Sequence, residues 1–175
     1  MVTTYTVGTG MSYATIQGAI DDIPGDLTGT GEHVVEVYAT ALNRYDELVD
    51  AQTGFTNASA TDFVHITAML NHNGLPATGI IIRENQGLVP TNVILGDYTF
   101  FEGFCVTRQQ PSGAFPVLMG ISVDGNYCRV SRCLVYGILG ACIDVFGIST
   151  LAEVTEGSAQ VDNTIVWNIF NGGPA

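Results

Sequence analysis

Arg129 and Arg132 stand three residues apart in one strand-like stretch, with Asp124 shortly before them and Asp144 after them. A cation and carboxylates converging in this way could form a site. They could equally pair with acidic neighbours along a stacked sheet, the usual fate of exposed charges. Glycoside hydrolysis needs two carboxyl groups facing one glycosidic oxygen; the adjacent pair Asp21-Asp22 is on a helical stretch and reads as a solvated face. His33, His65 and His72 are the only histidines. A His65/His72 metal pair would lack acidic neighbours at ligand spacing. Cys105, Cys128, Cys133 and Cys142 form no CxxC pair and have no histidine at a zinc-like distance. They read as small buried apolar residues, or as a disulfide between neighbouring segments. Asn57-Ala58-Ser59 is a glycosylation sequon only for a secreted chain. The two Gly-Thr-Gly segments (Gly8 to Gly10 and Gly29 to Gly31) are turns without a phosphate-binding motif. The expectation is therefore no catalytic set, no metal and no cofactor.

Composition narrows the partners. The 175 residues suit one domain, and 46% hydrophobic against 13% charged residues is far from a disordered balance. Seventeen acidic and five basic residues, all five of them Arg, give a net charge of −12. Such a surface repels phosphate backbones, so nucleic acid is not an expected partner. No apolar run approaches the roughly 20 residues of a spanning helix, so no membrane is expected either. No charged segment followed by an apolar one marks a secretion signal.

The elements that must position these residues are short. Thr4 to Ile20 reads as a strand, a Gly-Thr-Gly turn and an amphipathic helix over Ser12 to Ile23. Ser12 would cap it, Tyr13, Ile16, Ala19, Ile20 and Ile23 would lie on one stripe, and Pro24-Gly25 would end it. From "HVVEVYA" (His33 to Ala39) onward only brief β-like runs appear, divided by Gly, Asn, Asp and Pro. These runs repeat. "GFCV" (Gly103 to Val106) aligns with "RCLV" (Arg132 to Val135) and "NTIV" (Asn163 to Val166), at offsets of 29 and 31 residues. "GISV" (Gly120 to Val123) aligns with "CIDV" (Cys142 to Val145). A repeat of this length with two or three strands and no helix predicts an all-β, single-stranded, right-handed parallel β-helix, a solenoid with an N-terminal capping helix. Residues 1–32 would supply the first strand and the cap, and residues 33–175 the coils, within one domain. The expected inward set is Ile16, Ile20, Val35, Val37, Ile66, Ile81, Val106, Ile121, Val123, Val135, Ile143, Val145, Ile165 and Val166.

The opening segment carries a family likeness. "YTVGTGMSYATIQGAIDDIP", the strand "VVEVYA" and the turn "NRYDELV" resemble the start of right-handed β-helix proteins of the pectin-lyase-like superfamily. Thr6, Val7, Gly8, Gly10, Thr15, Ile16, Gln17, Ala19 and Ile20 match its cap segment, and Tyr45 and Glu47 match the turn after the first long strand. Asn43 stands near where that superfamily usually has Gly. The resemblance implies the fold, and with it a choice among pectate lyases, pectin methylesterases, polygalacturonases, phage tailspikes and non-enzymatic virion or surface proteins. Lyases of this fold use Arg or Lys as base beside carboxylate-held calcium; with no Lys here, Arg129 or Arg132 would have to serve. The polygalacturonase motifs are absent, and Gln109-Gln110 lacks the partners an esterase would need.

The resulting expectation is a non-enzymatic structural module of a bacteriophage virion, as capsid decoration, fibre or tail component. The alternatives are a carbohydrate-active enzyme or its remnant (a lyase or tailspike-type depolymerase), or a secreted or cell-surface adhesin-like module. Val166, Trp167, Ile169 and Phe170, apolar and late in the repeat, form the expected subunit interface. The partners would be further copies of the chain or other virion proteins, with a glycan as a further possibility.

Overall fold

The computed structural model describes residues 1–52, 55–75, 78–84, 91–108, 117–140, 144–150, 159–167 and 169–171. In chain order its elements are β1 (Val2–Val7), α1 (Ile16–Asp21), β2 (Glu32–Val37), β3 (Arg44–Tyr45), β4 (Val49–Ala51), β5 (Phe63–Ala68), β6 (Ile81–Glu84) and β7 (Thr91–Leu95). There follow β8 (Thr99–Glu102), β9 (Cys105–Arg108), β10 (Val117–Val123), β11 (Arg129–Ser131), β12 (Leu134–Gly140), β13 (Asp144–Thr150), β14 (Gln160–Asp162), β15 (Ile165–Trp167) and β16 (Phe170–Asn171). They wind into a parallel β-solenoid of about four turns. One sheet runs β1-β2-β5-β8-β11-β14, a second β4-β7-β10-β13 and a third β3-β6-β9-β12-β15, with β16 also pairing β12.

Alternation along each strand builds the core. In the first sheet the column Tyr5, Val35, Ile66, Phe101, Val130 points inward, each residue at most 8% exposed. Burial of each such large side chain contributes roughly 1.5–3 kcal/mol. Phe101 stacks on Phe104 with ring centroids 4.5 Å apart at the neighbouring corner. The repeat that aligned "GFCV", "RCLV" and "NTIV" is the register itself: Val106 pairs with Val135 and Val135 with Val166. Gly103, Arg132 and Asn163 fall at the same corner, all with positive φ (83°, 51° and 46°). The turn requires the left-handed region, which Gly enters freely and Asn at little cost.

Several expectations need correction. The helix is Ile16–Asp21, and Thr15, not Ser12, caps it by accepting from the Gly18 N–H at 3.1 Å. Tyr13 is extended, because its N–H donates to Thr6 O while its carbonyl accepts from the Gly8 N–H. The parallel stack also starts before His33, since β1 pairs with β2 along its whole length. "GISV" lies not over "CIDV" but over "GIST": Ile121 pairs with Ile148 and Val123 with Thr150. Ile81 and Ile165 lie on the other face of their sheet, where Ile81 is buried at 8% exposed in a separate small cluster and Ile165 is 50% exposed. They share a column with Cys105 and Leu134, while Ile82 takes the inward place beside Val106. In "GIIIRE" three consecutive isoleucines erase the alternation that would have revealed this. Ile16, Ile20, Val35, Val37, Ile66, Val106, Ile121, Val123 and Val135 are buried in the core. Val166 points inward but is 48% exposed. Ile143, and the side chain of Val145, lie outside the described residues.

Among the buried polar side chains, His33 lies next to the core tyrosine Tyr5. His33 is 2% exposed and lies within hydrogen-bond distance of the Tyr5 hydroxyl (3.1 Å) and Thr30 Oγ1 (3.0 Å). Burial lowers its pKa from the usual 6.5, against a smaller opposing pull from Asp62. A depressed histidine favours the folded state above the unfolded pKa and loses that contribution as pH falls through it. Urea midpoints should therefore decline as pH falls below 6.5, and a His33→Asn variant should show a flatter profile there.

Candidate functional site

The outer face of the first sheet gathers several chemically capable side chains. Because Val35, Ile66, Phe101 and Val130 point in, their neighbours point out. One outward column reads Val34, His65, Phe100, Arg129, Gln160 and the next Glu36, Thr67, Glu102, Ser131, Asp162. His65 sits between two carboxylates of adjacent rungs, Nδ1 3.5 Å from Glu32 and Nε2 3.2 Å from Glu102. Glu102 also accepts from the Ser131 hydroxyl and from Arg132 Nε and Nη2, the latter at 2.7 Å. Burial pushes the Glu102 carboxyl up, but Ser131, Arg132 and His65 together outweigh it and hold the group below its usual range. Arg129 grips Asp162 through both Nε (2.9 Å) and Nη2 (2.7 Å).

Beside these charges lies an aromatic ledge. Tyr98 and Tyr127 occupy equivalent places on successive rungs, with rings stacked 4.7 Å apart at 19°. That spacing is the strand-to-strand distance of a sheet. Both have positive φ, 51° and 56°, an unusual conformation for bulky residues. The Tyr98 N–H donates to Asn126 O, and Asp97 Oδ1 accepts from the Asn126 N–H, tying the two turns together. Tyr98, Phe100, Tyr127, Arg129 and Gln160 line an open groove of about 320 Å³. Phe100 and Arg129 also line a separate, smaller recess of about 60 Å³ beside His65, Glu102 and Ser131. Sequence reasoning missed the tyrosines. The signal was present, since the 29-residue offset that superposes "GFCV" on "RCLV" also places Tyr127 on Tyr98.

The residues singled out by type are mostly dispersed. Asp124 accepts from the Ser122 hydroxyl, one turn away from the two arginines, and the Asp144 side chain lies outside the described residues. Asp21 accepts from Gln17 and Asp22 from the Tyr13 hydroxyl, so the pair does not converge on a common point. His72 is buried, with Nε2 2.7 Å from Arg132 O and Nδ1 accepting from the Gly74 N–H. Cys105, Cys128 and Cys133 are buried; burial pushes the thiol of Cys128 up to about 11 and that of Cys133 up to about 12. Asn57 is exposed and donates to Asp26. Gln109, Gln110 and Cys142 lie outside the described residues. Among the described residues no three His, Cys, Asp or Glu side chains are placed to share a metal ion.

The two ends of the stack differ. At the first, α1 buries Ile16, Ala19 and Ile20, and the Gln17 amide pairs with the backbone of Asp50 as a strand would, donating to its carbonyl and accepting from its N–H. Glu47 accepts from the N–H groups of Ile16 and Gln17. At the other end the inward columns surface abruptly. Val161 follows buried Val130 at 49% exposed, and Val166 follows buried Val135 at 48%. Trp167 is 58% and Ile165 50% exposed, whereas Ile169 packs partly against the core. The Phe170 side chain lies outside the described residues.

These features define a parallel β-solenoid with apolar side chains half-exposed on its last strands and a polar-aromatic groove on an outer face. No family model, curated protein or solved structure matches the chain significantly.

Proposed function

We propose that the protein is a non-enzymatic structural module that assembles through the apolar end of its solenoid, as a capsid-decoration, fibre or tail component of a bacteriophage virion. One observation carries the assembly reading. The inward columns of the first and third sheets stay buried rung after rung and then emerge half-exposed at Val161 and Val166, beside Ile165 and Trp167. Strand edges next to exposed apolar side chains template association. In this reading α1 is the lid of the opposite end and the winding is right-handed, as parallel crossovers favour. Gln17 and Glu47 already occupy backbone groups at that lid, which disfavours head-to-tail growth and directs a second copy to the apolar end. The virion setting draws on the resemblance of residues 1–50 to pectin-lyase-like proteins. Both arginines that could have served as a base are engaged by carboxylates, Arg129 by Asp162 and Arg132 by Glu102, as in a structural ladder.

Sedimentation velocity over a wide concentration range tests the reading. The chain should self-associate, and Trp167→Ala/Ile165→Ser should weaken association by about 30-fold or more, the equivalent of about 2 kcal/mol for an aromatic anchor. Its β spectrum should be unchanged. A wild-type chain that stays monomeric at high concentration and turns over a polysaccharide would overturn the proposal in favour of an enzyme.

A further inference from the structure

We infer that the groove along Tyr98, Phe100, Tyr127 and Arg129 is a binding site for a neutral saccharide, used for adhesion rather than cleavage. The inference goes beyond the assembly reading and uses a different surface. The negative face of an aromatic ring attracts the weakly positive C–H groups on the apolar side of a pyranose. Tyr127, 46% exposed, and Tyr98 stacked beneath it supply such a platform at the wall of the groove. Gln160 and the Arg129–Asp162 pair offer donors and acceptors along its rim, where ring hydroxyls would lie. The volume of about 320 Å³ is at the small end of ligand pockets, which span about 300–1,000 Å³.

Two observations bear on charge and on use. Arg129 and Arg132 are each matched by a carboxylate, and the whole chain carries −12, so the groove holds no surplus positive charge for a uronate, sulfate or phosphate. In addition, two bulky residues are held at positive φ on consecutive rungs, a costly backbone state that concentrates at binding sites. The ledge would be cheaper to build with Gly or Asn; with tyrosine it presents a flat stacked surface.

The test is an NMR titration of the labelled chain with cello-, malto-, manno-, xylo- and chito-hexaose, with an oligogalacturonate of equal length as the acidic control. The expected result is fast-exchange, millimolar or tighter binding of at least one neutral hexasaccharide. Shifts should be confined to Tyr98, Phe100, Tyr127, Arg129, Gln160 and their neighbours, and the glycan should be recovered intact. Tyr127→Asn keeps a residue tolerant of the left-handed region and should weaken binding at least tenfold without lowering the melting temperature; Tyr127→Phe should retain it. The inference is overturned if no neutral hexasaccharide shifts these signals, if the oligogalacturonate binds as well or better, or if Tyr127→Asn and Tyr98→Asn both bind like the wild type. None of these outcomes depends on self-association, which the Trp167 variant reads separately.

Discussion

Ile121→Asp is expected to leave no folded protein. Ile121 is fully buried in β10, paired with Val93 of β7 on one side and Ile148 of β13 on the other. A carboxylate there would meet an apolar column with no cation or donor to receive it. An unpaired buried charge costs several kcal/mol even after relaxation, against a total stability of about 5–15 kcal/mol. Ile121→Ala is the informative companion. It removes packing alone, at about 2–5 kcal/mol, and should yield a folded chain with a lower urea midpoint. Circular dichroism of the soluble fraction and urea melts of both variants check this. An Asp variant as stable as the wild type would mean that the side chain faces solvent and that the register of β10 is displaced by one residue.

Gly125→Ala is expected to destabilise the solenoid nearly as much as a core truncation, although it adds a single methyl group at a turn. A Cβ at Gly125 would fall 2.1 Å from both Asp97 N and Gly96 C, backbone atoms of the rung below. Backbone cannot rotate aside as a side chain can. The two turns would have to separate, straining the bonds from the Asp124 and Gly125 N–H groups to Leu95 O. Overpacking of this kind costs about 3 kcal/mol. For a chain of this size that corresponds to a melting temperature lower by about 6–12 °C. Gly29→Asn provides the contrast: its φ is +65° and nothing stands within 4 Å of its Cβ, so Asn should be nearly neutral. Because Gly96 and Gly125 set the spacing beneath Tyr98 and Tyr127, a folded Gly125→Ala protein should also show a disturbed tyrosine stack by near-ultraviolet circular dichroism. An unaltered melting temperature would refute the close approach.

What was legible in the chain was legible because it is local and repeated. The left-handed corner recurs as Gly103, Arg132 and Asn163, and each corner fixes the strand that follows it, so "GFCV", "RCLV" and "NTIV" could be superposed without coordinates. Alternation in "HVVEVYA" placed Val35 and Val37 inward. The same method failed where its signal vanished. Three isoleucines in a row concealed the face of Ile81, and "CIDV" imitated a partner whose true counterpart, "GIST", begins five residues later. The helix was read too long because Tyr13 fits the helical stripe and Ser12 is a good capping residue, while pairing of Tyr13 with β1 is a contact across the turn that periodicity cannot express.

By itself the sequence determined the class of the fold, the period of its coils and nine of its core residues, since these follow from backbone preference and from which side chains avoid water. The tertiary structure decided everything that depends on one rung standing over another. It joined Arg129 to Asp162 and Arg132 to Glu102, so that two candidate bases became rungs of an ionic ladder. It set Tyr127 on Tyr98 to make a ledge, and it paired the Gln17 side chain with the backbone of Asp50 while leaving Val161 and Val166 half-exposed. Each of these joins residues about thirty positions apart, and the offset between rungs varies with loop length. A composition or a motif records which residues are present; only the completed winding determines which of them lie 4.7 Å apart.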